Sequence, residues 1–170
     1  MCWGSNGNGQ TTVPPSVNGT TGTATALSLG YGHSCAVQAE TARVVCWGLN
    51  DPPYGHGEAT PPPEVDGTDG TASALSAGAY HSCAIQAETG RVFCWGYDLA
   101  GQATPPPSVD GTDGTATAIG VGSYHTLAVV IPEADSLPLG ASAWAALCWI
   151  AGRRRTRRTG FVSYAGASRR

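Results

Sequence analysis

The sequence predicts an all-β repeat protein, and three observations carry that expectation. Glycine and proline are abundant, 24 and 12 of 170 residues, and inside a helix they cost about 1 and about 3 kcal/mol each. A block of about 45 residues recurs: Cys2-Trp3-Gly4 returns as Cys46-Trp47-Gly48 and Cys94-Trp95-Gly96, and Gly-x-x-His appears as Gly30…His33, Gly78…His81 and Gly122…His125. Each block also contains short apolar runs bounded by glycine. A period between about 20 and 50 residues marks solenoids, propellers or arrays, and several short strands per block point to β-propeller blades or a stacked β-array.

The elements follow in chain order. Ala24–Leu29, Ala72–Ala77 and Ala116–Val121 are the first strands of three blocks. Ser34–Ala39 and Arg43–Trp47 flank the turn Glu40-Thr41-Ala42, and Ser82–Ala87 and Arg91–Trp95 flank Glu88-Thr89-Gly90. Both read as hairpins, in which Gly90 suits a positive-φ turn position and Ala42 suits it less. The second block carries an insertion, with Leu49–Pro63 in place of the shorter Ser5–Pro15 and Tyr97–Pro107. Elsewhere the blocks align residue for residue, as in Val17-Asn18-Gly19-Thr20, Val65-Asp66-Gly67-Thr68 and Val109-Asp110-Gly111-Thr112.

These residues resemble a known family. The pattern Cys-Trp-Gly-x-Asn-x-x-Gly-Gln, then Pro-Pro, then Gly-x-x-His-[Ser/Thr]-Cys-Ala, is similar to the RCC1 (regulator of chromosome condensation) repeat in the cysteine-containing form found in exported bacterial proteins. Asn6, Gly9 and Gln10 match, as do Gly101 and Gln102, whereas the second block has Gly57-Glu58 where Gly-Gln is expected. The resemblance covers residues 1–131 and implies a β-propeller of seven four-stranded blades in a complete member, of which this chain supplies about three incomplete ones. It implies a binding fold, with members that act as a nucleotide exchange factor or as secreted enzyme inhibitors.

The cysteines test the hairpins. A turn centred on Glu40-Thr41 sets Cys35 opposite Cys46, and one centred on Glu88-Thr89 sets Cys83 opposite Cys94. Directly opposed residues of an antiparallel pair have Cα atoms about 4.5–5.5 Å apart, within the roughly 4.4–6.8 Å a disulfide needs. We therefore expect Cys35–Cys46 and Cys83–Cys94 disulfides and an oxidising compartment. The competing reading is buried free cysteine acting as a small hydrophobe. The third block has Leu127 at the equivalent place and no Cys-Trp-Gly after it, the joint loss that bridging predicts. Cys2 has no facing partner, so a chain truncated at its N-terminus is expected.

Charge divides the chain. Residues 1–136 hold two arginines and twelve acidic residues, and residues 137–170 hold seven arginines and no acid. An acidic body excludes nucleic-acid binding by phosphate neutralisation, which needs clustered cations. Leu137–Gly152 is uncharged. As a helix it would be about 24 Å long, short of the roughly 30 Å hydrocarbon core, with snorkelling arginines making up part of the gap. Arg153, Arg154, Arg155, Arg157 and Arg158 follow and would stay cytoplasmic by the positive-inside rule, leaving the repeats outside. With Pro132-Glu133 in front, the arrangement resembles the PEP-CTERM sorting signal of Gram-negative bacteria, in which an exosortase recognises Pro-Glu-Pro before a spanning helix. Ala134 replaces the second proline. The expected organisation is propeller repeats at 1–131, a sorting and transmembrane segment at 132–158 and a disordered basic tail at 159–170.

Candidate chemical sites are few. His33, His81 and His125 recur at one place per block, where strand-to-turn hydrogen bonding is expected, because neutral His both donates and accepts. His56 is expected to be solvated. Asn18, Asp66 and Asp110 are expected to form Asx turns; calcium is a lesser alternative, because the EF-hand's distal glutamate is missing. Neighbouring residues on a strand point to opposite faces, so Ser34 and Ser82 form no dyad with the preceding His. Trp3, Trp47 and Trp95 are expected in the core. No enzymatic constellation, metal site or cofactor is expected. The function expected is a non-enzymatic, surface-anchored protein whose loops, Leu49–Pro63 above all, bind a protein partner. The alternatives are a regulatory or inhibitory propeller module and a non-functional gene remnant.

Overall fold

The computed structural model describes residues 1–132, and among them every regular element is a β-strand. The first module is a sheet of β1 (Ala24–Leu29), β2 (His33–Gln38) and β3 (Val44–Gly48), paired antiparallel in that order. The second repeats it with β4 (Ala72–Ala77), β5 (His81–Gln86) and β6 (Val92–Gly96). The third pairs β7 (Gly114–Val121) with β8 (Thr126–Pro132). Pro132 closes β8 opposite Gly114, whereas Glu133, the expected helix 137–152, the five arginines at 153–158 and the basic tail 159–170 lie outside the described residues.

Among the described residues two modules have three strands and the third has two, fewer than the four per blade that the resemblance implies for a complete member. The segment before each first strand is rich in proline and folds into turns instead. Val65 and Asp66 N–H donate to Pro62 O, Asp69 N–H to Pro63 O, and Gly67 N–H to Gly70 O. Backbone groups satisfied locally are lost to a ladder. One contact remains at the sheet edge, where Val44 N–H donates to Val65 O and Val92 N–H to Val109 O.

Each hairpin is held in register from both ends. Gln38 N–H donates to Arg43 O and Leu49 N–H to Gly32 O, so alternation makes Cys35 and Cys46 a non-hydrogen-bonded pair, the kind whose side chains approach most closely. The same follows for Cys83 and Cys94 from the Gln86–Arg91 and Tyr97–Tyr80 bonds. At the turns Gly90 takes φ 73° and Ala42 takes φ 56°. The position needs the left-handed region in both modules, and in the first a β-carbon bears the strain.

A three-stranded sheet cannot bury its own face, so the core lies between successive modules. Cys35, Val37 and Val44 of the first pack with Val65, Ala72, Ala84 and Trp95 of the second. Cys83, Ile85 and Val92 of the second pack with Val109 and Ala116 of the third. Trp47 fills a smaller cluster with Val17 and Ala36. Trp47 and Trp95 are buried as expected, but Trp3 is 84% exposed, because among the described residues no hairpin holds Met1–Gly4 in a sheet.

The modules meet most tightly at the Gly-x-x-His turns. A β-carbon on Gly30 would strike the His33 ring and the Gly78 carbonyl, and one on Gly78 would strike the Gly122 carbonyl and Val121. Neither obstacle is a flexible side-chain end. Gly78→Ala should therefore destabilise the protein by about 3 kcal/mol, as overpacking does where nothing can yield. The urea midpoint read by tryptophan fluorescence would fall accordingly; an unchanged midpoint would contradict the close approach.

Candidate functional site

The recurring histidines build the joints between modules. His33 Nε2 lies 2.8 Å from Ser82 Oγ, and His81 Nε2 lies 2.9 Å from Thr126 Oγ1. Each His thus bonds the hydroxyl that follows the His of the next module, rather than a turn of its own, which corrects the expectation from sequence. Thr126 Oγ1 donates to Gln102 O at 2.9 Å, so it can only accept from His81, which assigns the proton to Nε2. A second tie runs beside the first: Ala77 N–H donates to Ser28 Oγ at 2.8 Å and Val121 N–H to Ser76 Oγ at 3.0 Å. No dyad forms between sequence neighbours, but His33 and Ser82 do meet across modules. Both are buried, His33 at 1% and Ser82 at 0% exposure, so no substrate can reach the pair and the contact is structural.

The tryptophans are held by the Gly-Gln loops. Trp47 Nε1–H donates to Gln10 O at 2.8 Å and Trp95 Nε1–H to Glu58 O at 2.8 Å. The side chain of the same residue closes its own loop. Gln10 Oε1 accepts from Asn8 N–H, Glu58 Oε2 from His56 N–H, and Gln102 Oε1 from Ala100 N–H. Only an acceptor oxygen is required, which explains how glutamate stands at position 58 where glutamine is expected.

Cys35 and Cys46 sulfurs lie 2.05 Å apart, and Cys83 and Cys94 sulfurs 2.06 Å apart, both at disulfide distance. Their Cα atoms are 4.1 and 4.0 Å apart, closer than the roughly 4.5 Å of an unbridged non-hydrogen-bonded pair. Thr20, Thr68 and Thr112 N–H each donate to the side-chain oxygen two residues earlier, on Asn18, Asp66 and Asp110, at 2.8 Å. These are Asx turns, and among the described residues no three His, Cys, Asp or Glu side chains converge as metal ligands would.

The two ends of the sheets differ in character. At the hairpin-turn end, carboxylates are used locally. Glu40 accepts from Thr23 N–H and Oγ1, and Glu88 from Thr71 N–H and Oγ1. The Glu40 pKa is lowered first by a backbone bond within its own turn and then by the Thr23 bonds, and the Glu88 pKa first by the Thr71 hydroxyl and then by its own turn. At the other end, where first strand turns into second and third strand leaves, aromatic rings gather. Tyr31 and Tyr80 have centroids 5.9 Å apart, Tyr80 and Tyr124 6.0 Å, Tyr80 and Tyr97 6.3 Å, and Tyr97 and Tyr124 6.4 Å. The insertion adds His56, exposed and 4.7 Å from the Tyr97 ring. Tyr31 is 74% and Tyr124 57% exposed. This aromatic end is the candidate binding surface, and the sequence reading missed it. Its signal was a tyrosine in every Gly-x-x-His turn: Tyr31, Tyr80 and Tyr124.

Comparison with known proteins agrees with this architecture. The family model described as the regulator of chromosome condensation (RCC1) repeat matches residues 72–102, that is β4 to β6 and the Gly101-Gln102 loop. The CRINKLY WD40 ectodomain of the Arabidopsis thaliana receptor kinase ACR4 superposes with a TM-score of 0.56 at 21% identity, over 76% of this chain and 39% of that one. Prp20p of Saccharomyces cerevisiae, studied for its binding properties to Gsp1p and histones, gives 0.56 at 18% identity over 78% and 40%. Human WBSCR16 gives 0.54 at 18% identity over 76% and 39%. The chain therefore spans about two fifths of these structures, and at such identities the likeness carries the fold alone: RCC1-like propeller repeats. No curated protein matches the sequence.

The joint has a pH signature. Burial, and secondarily the like charge of His81, pushes His33 down to about 4 from the usual 6.5. The folded state holds His33 neutral, so its contribution is complete above pH 6.5 and is lost as pH falls towards 4, where both states are protonated. Between pH 7 and pH 5 the native protein should lose about 2 kcal/mol through this group. His33→Gln, which keeps an amide donor for Ser82, should be less stable at pH 7 and lose less on acidification. Urea titrations at the two pH values read the difference; equal losses would refute the assignment.

Proposed function

We propose that this protein is a non-enzymatic, membrane-anchored repeat protein of the exported bacterial type, which binds a protein partner through the aromatic end of its modules. The observation that carries the reading is the cluster of Tyr31, Tyr80, Tyr97 and Tyr124 with His56. Tyrosine supplies large, rigid contact area with a polar handle and is enriched at protein interfaces. The one loop that differs in length between modules sets His56 against Tyr97 and also carries the 77%-exposed Tyr54. RCC1-like repeats among the fold neighbours support a binding role, as does Prp20p, studied with Gsp1p and histones.

Export is supported by the two cysteine pairs at disulfide distance, which persist in oxidising compartments. Membrane attachment rests on the sequence of 132–158: Pro132-Glu133, an uncharged apolar run and the arginine cluster. Among the described residues no helix is long and apolar enough to cross a membrane.

A photo-crosslinking amino acid at Tyr80 or Tyr124 should yield adducts with a second protein at least tenfold more often than one at Glu88, on the opposite end. Equal yields, or adducts made only of further copies of this chain, would reject the surface. Deleting residues 137–158 should move the protein from the membrane to the soluble fraction, and unchanged partitioning would reject the anchor.

A further inference from the structure

The loops that follow the three Cys-Trp-Gly motifs depart from their common pattern at three places, and the departures converge. Ser5-Asn6 and Leu49-Asn50 of the first two loops become Tyr97-Asp98 in the third, and Gln10 and Gln102 become Glu58 in the second. Neither added charge is needed for hydrogen bonding. Asn6 and Asn50 accept through Oδ1 from Thr11 and Ala59 N–H, as Asp98 accepts from Ala103 N–H. Gln10 and Gln102 close their loops through Oε1, as Glu58 closes its own on the His56 N–H. The chain thus carries two carboxylates where its own amides do the same work for the fold.

Both carboxylates belong to the aromatic end. Glu58 is fully buried with Oε1 unpartnered, while Oε2 holds the backbone of His56, whose ring lies 4.7 Å from Tyr97. Asp98 is exposed and adjoins Tyr97 in the chain. Its charge reaches His81, the neighbour of Tyr80: burial depresses that histidine, and Asp98 opposes the shift. The arginines Arg43 and Arg91 are used at the hairpin-turn end instead, against Gly67 and on Asp110 O.

The rings have the spacing to hold a cation. Tyr80, Tyr97 and Tyr124 form a nearly equilateral triangle with sides of 6.3, 6.4 and 6.0 Å. A guanidinium resting about 3.5 Å above that triangle would lie about 5 Å from all three centroids, inside the roughly 6 Å reach of a cation–π contact. Tyr80 and Tyr124 are inclined by 34°, and Tyr97 stands at 60° and 68° to them. Given that this surface binds a protein, as proposed above, we infer that the partner contributes an arginine, seated on Tyr80, Tyr97 and Tyr124 with Asp98 and Glu58 answering its charge. Arginine fits better than lysine, because its planar and weakly hydrated group stacks on aromatic faces.

The repeats themselves supply the test variants. A fluorescein-labelled octapeptide of alternating glycine and arginine should bind the oxidised full chain in mild detergent at low salt, read by anisotropy. The same peptide with citrulline, equal in shape and uncharged, should bind at least about tenfold more weakly. Tyr124→Ala should weaken the arginine peptide about tenfold. Glu58→Gln and Asp98→Asn restore residues that the other loops already use, and each should weaken it about threefold. Asp69→Asn removes an exposed charge from the loop where Gly67 meets Arg43, and should leave binding unchanged. No binding, equal binding of the citrulline peptide, or an effect of Asp69→Asn as large as that of Asp98→Asn would each overturn the arginine; the last would mean attraction to the acidic body at large. Crosslinks from Tyr80 to a second protein, with both peptides bound alike, would sink the arginine and leave the protein-binding surface standing.

Discussion

The contact between consecutive modules is the interaction on which the fold depends. Each module is, among the described residues, a sheet of two or three short strands, and its apolar face is buried against the next. What fixes the spacing is steric as much as attractive. Gly30 and Gly78 let one turn's backbone approach the next until no β-carbon would fit. That approach is what brings His33 within 2.8 Å of Ser82 and His81 within 2.9 Å of Thr126. The Gly-x-x-His-[Ser/Thr] motif is thus one device: glycine permits contact, His reaches forward, and the hydroxyl receives the previous module's His.

Within a module the same economy of parts holds the third strand. The indole of the Cys-Trp-Gly motif is anchored to a backbone carbonyl, not to a side chain. The residue owning that carbonyl uses its own side chain to close the loop that presents it. Hence Gln10, Glu58 and Gln102 are interchangeable in hydrogen bonding although they differ in charge. The cost shows at Glu58, which is fully buried with Oε1 unpartnered. The cysteine pairs act at the non-hydrogen-bonded positions of the same hairpins and so tie the third strand to the second where the ladder leaves a gap.

Much of this was legible because the repeats are local. The strands starting at Ala24, Ala72 and Arg43, the Cys35–Cys46 register and the three Asx turns all follow from spacing within one block, and the structure places them within a residue or two. The features that sequence did not yield are those that cross blocks. No spacing reveals that His33 pairs with Ser82 49 residues away, because the partner is set by how sheets stack. Trp3 reads as core by analogy with Trp47, but burial needs a hairpin and not a motif. The tyrosines escaped notice because Tyr31 sits one position earlier in its turn than Tyr80 and Tyr124 do, and convergence of the rings comes from module stacking.

The placement of the aromatic surface follows from which end of each module is free to change. At the hairpin-turn end, loop side chains are committed: Glu40 and Glu88 bind the start of the first strand, and Gln38 and Gln86 bind the carbonyls of Ser16 and Glu64. A longer turn there would uncouple strand from strand. At the opposite end Leu49 and Asn50 are tied down, but the stretch 51–57 needs only to return with an acceptor carbonyl in the right place, at Glu58, so its length is not fixed by the sheet. The second module takes that freedom, with four extra residues between Leu49 and Pro63, and what the extra chain adds to the surface is the exposed His56 against Tyr97 and the exposed Tyr54. Variation is therefore tolerated where the aromatic rings already lie, and a surface that can vary without loss of fold is where recognition can be tuned.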